Sequence, residues 1–241
     1  MIELREVRKV YPDGHVALRG LSLCVEAAMT VAMLGPSGCG KTTTLKLVNR
    51  LLTPTAGHIL VNGRDVSTVD PIQLRRGIGY VVQDAGLFPH LTAEQNVEVV
   101  PRLLGWPAAQ RRERSAQLFA LVGLDYTQHG PRYPSELSGG QRQRVGLARA
   151  LAADPPVVLM DEPFGALDPI TRRRLQREFL DLKGRLRKTV VLVTHDVEEA
   201  FLLADRIAVL SDGELVQFGA PDAIRAAPAS DFVASFFEGM R

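Results

Sequence analysis

The chain has 241 residues, 46% hydrophobic and 23% charged, enough for one large domain or two small ones with a core that needs neither disulfides nor metals. Its formal charge of +2 gives no reason to expect a nucleic-acid partner, and Arg172-Arg173-Arg174 reads as a solvated helix face. Two cysteines, Cys24 and Cys39, with no C-x-x-C spacing, argue against a disulfide framework or a zinc site and fit a reducing cytoplasm.

The start, Met1-Ile2-Glu3-Leu4-Arg5-Glu6, is charged and alternating, which is not the pattern of a signal peptide. Residues 2–11 alternate and predict a strand, Pro12-Asp13-Gly14 a turn, and residues 17–25 a second strand. The apolar run 31–34 predicts a buried strand and 43–52 a helix. Residues 59–61 followed by Asn62-Gly63 predict a hairpin, and 78–83 a short strand ending on a polar residue.

From 84 to about 136 no strand signal appears, so a helical insertion is expected. Thr92-Ala93-Glu94-Gln95 has capping-box spacing, Pro107 suits a first helical position, and Gly123 a helix stop. Strands at 157–161 and 190–194 alternate with helices at 169–186 and 196–204, which implies a mostly parallel α/β core. A hairpin over 207–210 and 215–218 and a helical tail from Pro221 close the chain. The longest apolar runs, such as 157–160 and 190–193, are far too short to span a bilayer.

The segment Gly35-Pro36-Ser37-Gly38-Cys39-Gly40-Lys41-Thr42 fits G-x-x-x-x-G-K-[ST], the phosphate-binding loop, in the strand–loop–helix setting that the motif requires. Glycines let successive N–H groups face a phosphate, and the helix N-terminus adds partial positive charge. Lys41 would reach the β- and γ-phosphates, and the Thr42 hydroxyl would ligate Mg²⁺. Cys39, two residues from Lys41 at a helix N-terminus, is expected to favour its thiolate.

The apolar strand 157–160 ends in Asp161 and Glu162. Asp161 is placed to hold Mg²⁺ through water, and Glu162 to orient or deprotonate an attacking water. Leu137-Ser138-Gly139-Gly140-Gln141 opens a long helix. Ser138 and Gln141 alone are a capping box. Two consecutive glycines at a helix start cost stability, and they suit a second anion site of hydroxyl and unhindered N–H groups.

A phosphate loop, Leu-Ser-Gly-Gly-Gln, a strand ending Asp-Glu and an isolated His together resemble the ATPase domain of ATP-binding cassette (ABC) proteins over essentially the whole chain. The resemblance implies a phosphate-loop α/β core with an N-terminal antiparallel β subdomain, residues 1–83 and 137–241, and a helical subdomain at 84–136 facing a membrane partner. ATP and Mg²⁺ are the implied ligands, and Thr43 joins residues 35–42 in the nucleotide site. Tyr11 matches the aromatic that stacks on adenine, though it could equally be an ordinary strand residue. Gln83 matches a glutamine that binds Mg²⁺ and senses the membrane partner. Asp168 matches a loop crossing the dimer interface, or is simply an N-cap. His195 matches a histidine that contacts the γ-phosphate.

In this family two domains pack head to tail, each ATP lying between the loop of one and the Ser-Gly-Gly of the other. The implied partners are a second copy or a paralogous ATPase, transmembrane permease subunits and, indirectly, a periplasmic or lipid-anchored substrate-binding protein. The location implied is peripheral, at the cytoplasmic face of the membrane.

Residues 78–83, 86–90, 100–106, 164–172 and 231–233 are similar to bacterial importers of osmoprotectant quaternary amines. An importer for another small solute, such as an amino acid, polyamine or sugar, is the alternative. Some ATPases of the osmoprotectant group continue into paired cystathionine-β-synthase-type domains, which the 241 residues do not include. A soluble ABC protein acting on DNA or ribosomes would be expected to carry a long coiled coil or a second cassette, and neither is present. Glu162 and His195 argue against a non-catalytic module, and the lack of Asn-Lys-x-Asp argues against a GTPase.

Overall fold

The computed structural model describes residues 1–165 and 167–237. Ala166, within the stretch 164–172, lies outside them. In chain order the elements are β1 (Ile2–Val10), β2 (Val16–Val25), β3 (Thr30–Leu34), α1 (Lys41–Val48), β4 (Ala56–Val61), β5 (Arg64–Asp65), α2 (Pro71–Arg76) and β6 (Ile78–Val81). There follow α3 (Ala93–Leu103), α4 (Ala108–Leu121), α5 (Tyr126–His129), a short 3-10 turn (Pro134–Glu136), α6 (Gly139–Leu151), β7 (Val157–Asp161) and α7 (Pro169–Leu186). The chain continues with β8 (Thr189–Val193), α8 (Val197–Leu203), β9 (Arg206–Ser211), β10 (Glu214–Gly219), α9 (Pro221–Ala226) and α10 (Asp231–Ser235).

The fold is mixed α/β and divides into two compact units, Met1–Arg75 with Arg187–Arg241, and Arg76–Leu186. In the first unit β2, β1, β4 and β5 form an antiparallel sheet in that order. Ile2 and Leu4 of β1 are buried while Arg5 is exposed, the period-2 pattern of a half-buried sheet, and an irregularity at Glu6 (φ 47°) shifts the next buried position to Val7. Strand β3 pairs in parallel with β8 and β9, and β10 returns antiparallel to β9. Every residue of β3 is buried, as a strand covered on both faces must be. Ala32, Leu34, Ile207 and Val209 from these strands share a core with Ala200, Ile224 and Val233 from α8, α9 and α10.

Helix α1 begins at Lys41 and ends at Val48, earlier at both ends than the 43–52 expected. Arg50 is left-handed (φ 50°), and the Leu51 and Arg50 N–H groups close onto Lys46 O (2.8 Å) and Leu47 O (3.0 Å), a Schellman termination. No glycine marks that stop, so periodicity alone overran it.

In the second unit β6 and β7 are parallel. No strand occurs between Asp84 and Glu136. The Thr92 capping box forms, with Gln95 as its reciprocal partner. Pro107 is the N-cap of α4 rather than its first residue. Gly123 (φ 65°) stops α4 as expected, with its N–H and that of Leu124 bonded to Ala120 O and Phe119 O. Strand β6 ends at Val81, so Gln83 lies in the turn beyond it. Helix α3 carries Pro101 in its interior, and α2 and α5, too short for a periodic signal, had no counterpart in the sequence reading.

Candidate nucleotide site

Strand β3 delivers the chain to Gly35. A Cβ there would lie 2.2 Å from the Leu210 carbonyl oxygen, and one at Gly40 (φ 103°) 2.6 Å from the Ala17 carbonyl oxygen. Neighbouring backbone therefore demands glycine at both ends of the loop. Pro36, Ser37 and Gly38 form an exposed crown between them. Lys41 is buried, and its ammonium donates to Gly35 O (2.7 Å) and Pro36 O (2.9 Å). The first turn of α1 contains no acidic residue and its N-cap, Gly40, makes no side-chain cap, a helix start suited to an anion.

The Tyr11 hydroxyl is 3.2 Å from Thr43 Oγ1, its ring stacks on His15 with centroids 6.1 Å apart, and the Lys9 ammonium is 5.5 Å from its centroid. Tyr11 is thus tied to the residue after Thr42. His195 is exposed just beyond β8, ahead of α8. The flanking backbone is fixed: Asp196 N–H donates to Thr194 Oγ1 (3.0 Å), and Asp196 Oδ1 accepts from Glu199 N–H (3.1 Å).

Cys39 departs from expectation. It is 3% exposed. Burial pushes its thiol above the usual value despite the Lys41 ammonium 3.6 Å from its sulfur. Desolvation outweighs the nearby charge, so the loop holds a thiol rather than a thiolate.

In the second unit β7 ends at Asp161, and Glu162 follows in the left-handed region (φ 45°), a strained conformation for a residue with a Cβ. Gln83 Nε2 donates to Glu162 Oε2 at 3.3 Å. Two candidates 79 residues apart are thereby brought together. The Tyr80 hydroxyl bonds Asp161; burial, reinforced by that carboxylate, pushes the phenol up to about 12.

Ser138 Oγ accepts from Gln141 N–H (3.2 Å) and Gln141 Oε1 from Ser138 N–H (2.8 Å), so the capping box is formed. The glycines between them differ. A Cβ at Gly140 would lie 2.7 Å from Thr171 Cγ2 on α7, a packing reason for glycine there. At Gly139 the nearest atoms to a Cβ would be 3.9 Å away, so that glycine is not required by packing. Gly139 lines a cleft of about 230 Å³ together with Gln83, Asp84, Arg142, Gln143 and Leu167. The Gln143 amide nitrogen, buried at its wall, has no partner. Asp168 is exposed and caps α7 through Thr171 N–H (3.1 Å); hydrogen bonds from the Thr171 hydroxyl and then from its N–H hold the carboxyl below the usual range.

Several supporting residues escaped the sequence reading. Asn96 accepts from Phe88 N–H (2.8 Å) and donates to Phe88 O, Leu91 O and Thr92 O, fixing the loop after Gln83. Arg149 of α6 donates to Ala85 O (2.7 Å) and Gly86 O (2.6 Å) in the same loop. Tyr80 and His129, which is 3.1 Å from Gln141 Nε2, complete the set. The only local sign was a polar residue interrupting a buried helix face, at Asn96 and Arg149.

Strand, glycine loop and Lys41-led helix define an α/β domain of the phosphate-loop class. The chain belongs to the ABC transporter family, whose model matches residues 18–165. The glycine betaine/carnitine/choline transport ATP-binding protein OpuCA of Bacillus subtilis is 52% identical over 236 residues, 98% of this chain and 62% of its own length. The osmoprotectant import ATP-binding protein OsmV of Salmonella typhimurium is 54% identical, covering 98% of this chain and 63% of its own. The chain thus spans less than two thirds of these relatives. Among solved structures, a dimeric post-hydrolysis state of the ATP-binding cassette MJ0796 bound to ADP and Pi is 35% identical with a TM-score of 0.82, over 92% of this chain and 99% of that one. Among the described residues no helix is long and apolar enough to cross a membrane.

Proposed function

We propose that this chain is the ATP-hydrolysing subunit of an importer for quaternary-amine osmoprotectants of the glycine betaine, carnitine or choline type. The observation that carries the reading is 52–54% identity to OpuCA, OpuBA and OsmV, transport ATP-binding proteins matched over 98% of the chain. The subunit acts peripherally at the cytoplasmic face of the membrane, paired head to tail with a second copy or a paralogue. Residues 1–83 and 137–241 form the ATP-binding core, and the helical segment 84–136 meets the permease subunits. A periplasmic or lipid-anchored binding protein delivers the solute.

ATP enters as the substrate. Loop N–H groups and Lys41 grip its β- and γ-phosphates, Lys41 exchanging the carbonyls of Gly35 and Pro36 for phosphate oxygens. Tyr11 takes the adenine face. Ser138 Oγ, the N–H groups of Gly139 and Gly140, and Gln141 face a nucleotide on the partner copy, and Asp168 crosses the interface. Glu162, oriented by Gln83, takes a proton from water as its oxygen bonds the γ-phosphorus and the bond to ADP breaks. His195 holds a γ-phosphate oxygen. The Thr42 hydroxyl, the Gln83 amide oxygen and the Asp161 carboxylate are the hard oxygen donors that Mg²⁺ accepts, and Tyr80 steadies Asp161. Bound there, Mg²⁺ would offset charge on the phosphates.

The test is uptake of labelled glycine betaine by cells lacking their own osmoprotectant importers. The chain, expressed with its neighbouring permease and binding protein, should restore uptake, and Lys41→Ala should abolish it. Uptake of an amino acid, polyamine or sugar instead would replace the solute assignment. Purified chain without Lys41-dependent ATP hydrolysis would overturn the enzyme.

A further inference from the structure

His129 ends α5, half-buried beside the start of α6. Its Nδ1 is 2.9 Å from the Asp125 carbonyl oxygen and its Nε2 is 3.1 Å from Gln141 Nε2. A carbonyl only accepts, so Nδ1 carries the proton, and in the neutral ring Nε2 is then an acceptor. The Gln141 amide nitrogen only donates, so it donates to Nε2. The same amide turns its Oε1 to Ser138 N–H at 2.8 Å. Each group from Asp125 O to Ser138 N–H thus has a single permitted role, and the first fixes the rest.

We propose that His129 is a positioning residue for the signature segment, Leu137-Ser138-Gly139-Gly140-Gln141. Its neutral ring fixes the orientation of the Gln141 amide, and through it the capping box that holds Ser138 at the start of α6. The inference rests on the reading of Ser138 as a partner-facing nucleotide contact. Protonation would place a second N–H on Nε2, facing the amide NH₂. Flipping the amide would satisfy the ring but turn NH₂ towards Ser138 N–H. An imidazolium therefore costs one hydrogen bond of this chain whichever way the amide turns.

Charged groups surround the helix. Asp125 caps α5 and faces the ring's own turn; Glu94 of α3 takes the Tyr126 hydroxyl with Glu98 behind it; Arg112 of α4 faces Tyr126. Arg142 of α6 donates to Leu137 O. The atom facing Nε2 is the Gln141 amide nitrogen.

The test combines ¹⁵N NMR of the labelled chain with steady-state ATP hydrolysis across about pH 5 to 8, the range in which histidines as a class change charge. At the upper end His129 should show a protonated Nδ1 and an accepting Nε2, and the Ser138 amide resonance should move as His129 titrates. His129→Ala should lower kcat about fivefold at the upper end, the size of one lost hydrogen bond, with KM for ATP little changed. His129→Gln offers an acceptor that does not titrate. It should hold kcat within about twofold of wild type there and remove the part of the acid loss that His129 causes. A proton on Nε2 at the upper end, or Ala and Gln variants that match wild type at every pH, would overturn the proposal. A parallel Ser138→Arg variant separates the two readings. If it is inactive while both His129 variants match wild type, only the His129 role fails; if it is fully active, the signature reading itself fails.

Discussion

The Gln83 side-chain nitrogen lies 3.3 Å from Glu162 Oε2, so the turn after β6 and the end of β7 meet through one amide–carboxylate bond. That bond uses one oxygen of Glu162 and fixes the direction of the other. A Glu162→Gln substitution preserves the shape of the side chain but removes the base. It should keep ATP affinity and slow turnover at least about a hundredfold. ATP with Mg²⁺ should then trap a dimer visible by size exclusion. Near wild-type turnover would sink the assignment of Glu162.

Cys39 gives a pH-dependent prediction whose sign follows from burial. Its folded pKa is raised, so the fold favours the neutral thiol. That contribution to stability is complete below the unfolded thiol's pKa, about 8.5, and is lost as pH rises through the higher folded value. Wild type should therefore lose more stability than Cys39→Ser above that pH. Iodoacetamide at neutral pH should label exposed Cys24 before Cys39, with mass spectrometry reporting the order. ATPase activity should fall only as Cys39 itself reacts, and ATP should slow that reaction. Faster labelling of Cys39 than of Cys24 would mean that Lys41 outweighs burial after all.

Much of this arrangement was legible in the sequence because local chemistry and tertiary structure agree. The capping boxes at Thr92 and Ser138 form as their spacing implies, since both partners lie within one turn. The apolar run 31–34 of β3 is buried on both faces. What escaped depends on contacts between distant segments. Tyr80 looked like one more strand aromatic, and only the pairing of β6 with β7 brings it to Asp161. Arg149 interrupts a buried helix face, but nothing local shows that it reaches back 63 residues to Gly86 O. Cys39 was misjudged because spacing reveals its charged neighbour but not its burial. Gly140 carries no local sign that Thr171 crowds it.

Gly79 is such a long-range constraint, and it is testable. A Cβ on it would lie 2.4 Å from the Ala150 carbonyl oxygen and 3.1 Å from its carbon, so backbone of α6 sits directly on β6. Backbone cannot swing aside as a side chain can. Gly79→Ala should cost about 1–3 kcal/mol, read as a lower urea midpoint at unchanged m-value. Because α6 starts at the signature, ATPase activity should fall as well. An unchanged midpoint would show that the helix shifts freely over the strand.

The composite site is the strongest claim to test, and it can be tested by mixing two dead proteins. Lys41→Ala removes the ammonium from the phosphate loop, and Ser138→Arg fills the signature with a bulky side chain. Each variant alone should be nearly inactive, because each homodimer carries its lesion in both sites. In a mixed dimer both lesions fall in one site. The other site joins the intact loop of the Ser138→Arg chain to the intact signature of the Lys41→Ala chain. Mixing should therefore restore ATPase activity, provided that heterodimers form and one good site can fire alone. If each chain completed its own site, mixing would restore nothing. Obligatory coupling of the two sites would also keep activity low, so heterodimer content and nucleotide occupancy must be measured with it. Verified heterodimers that bind no more nucleotide than either parent homodimer would count against head-to-tail pairing. Heterodimers that bind more yet stay silent would point to two sites that must fire together.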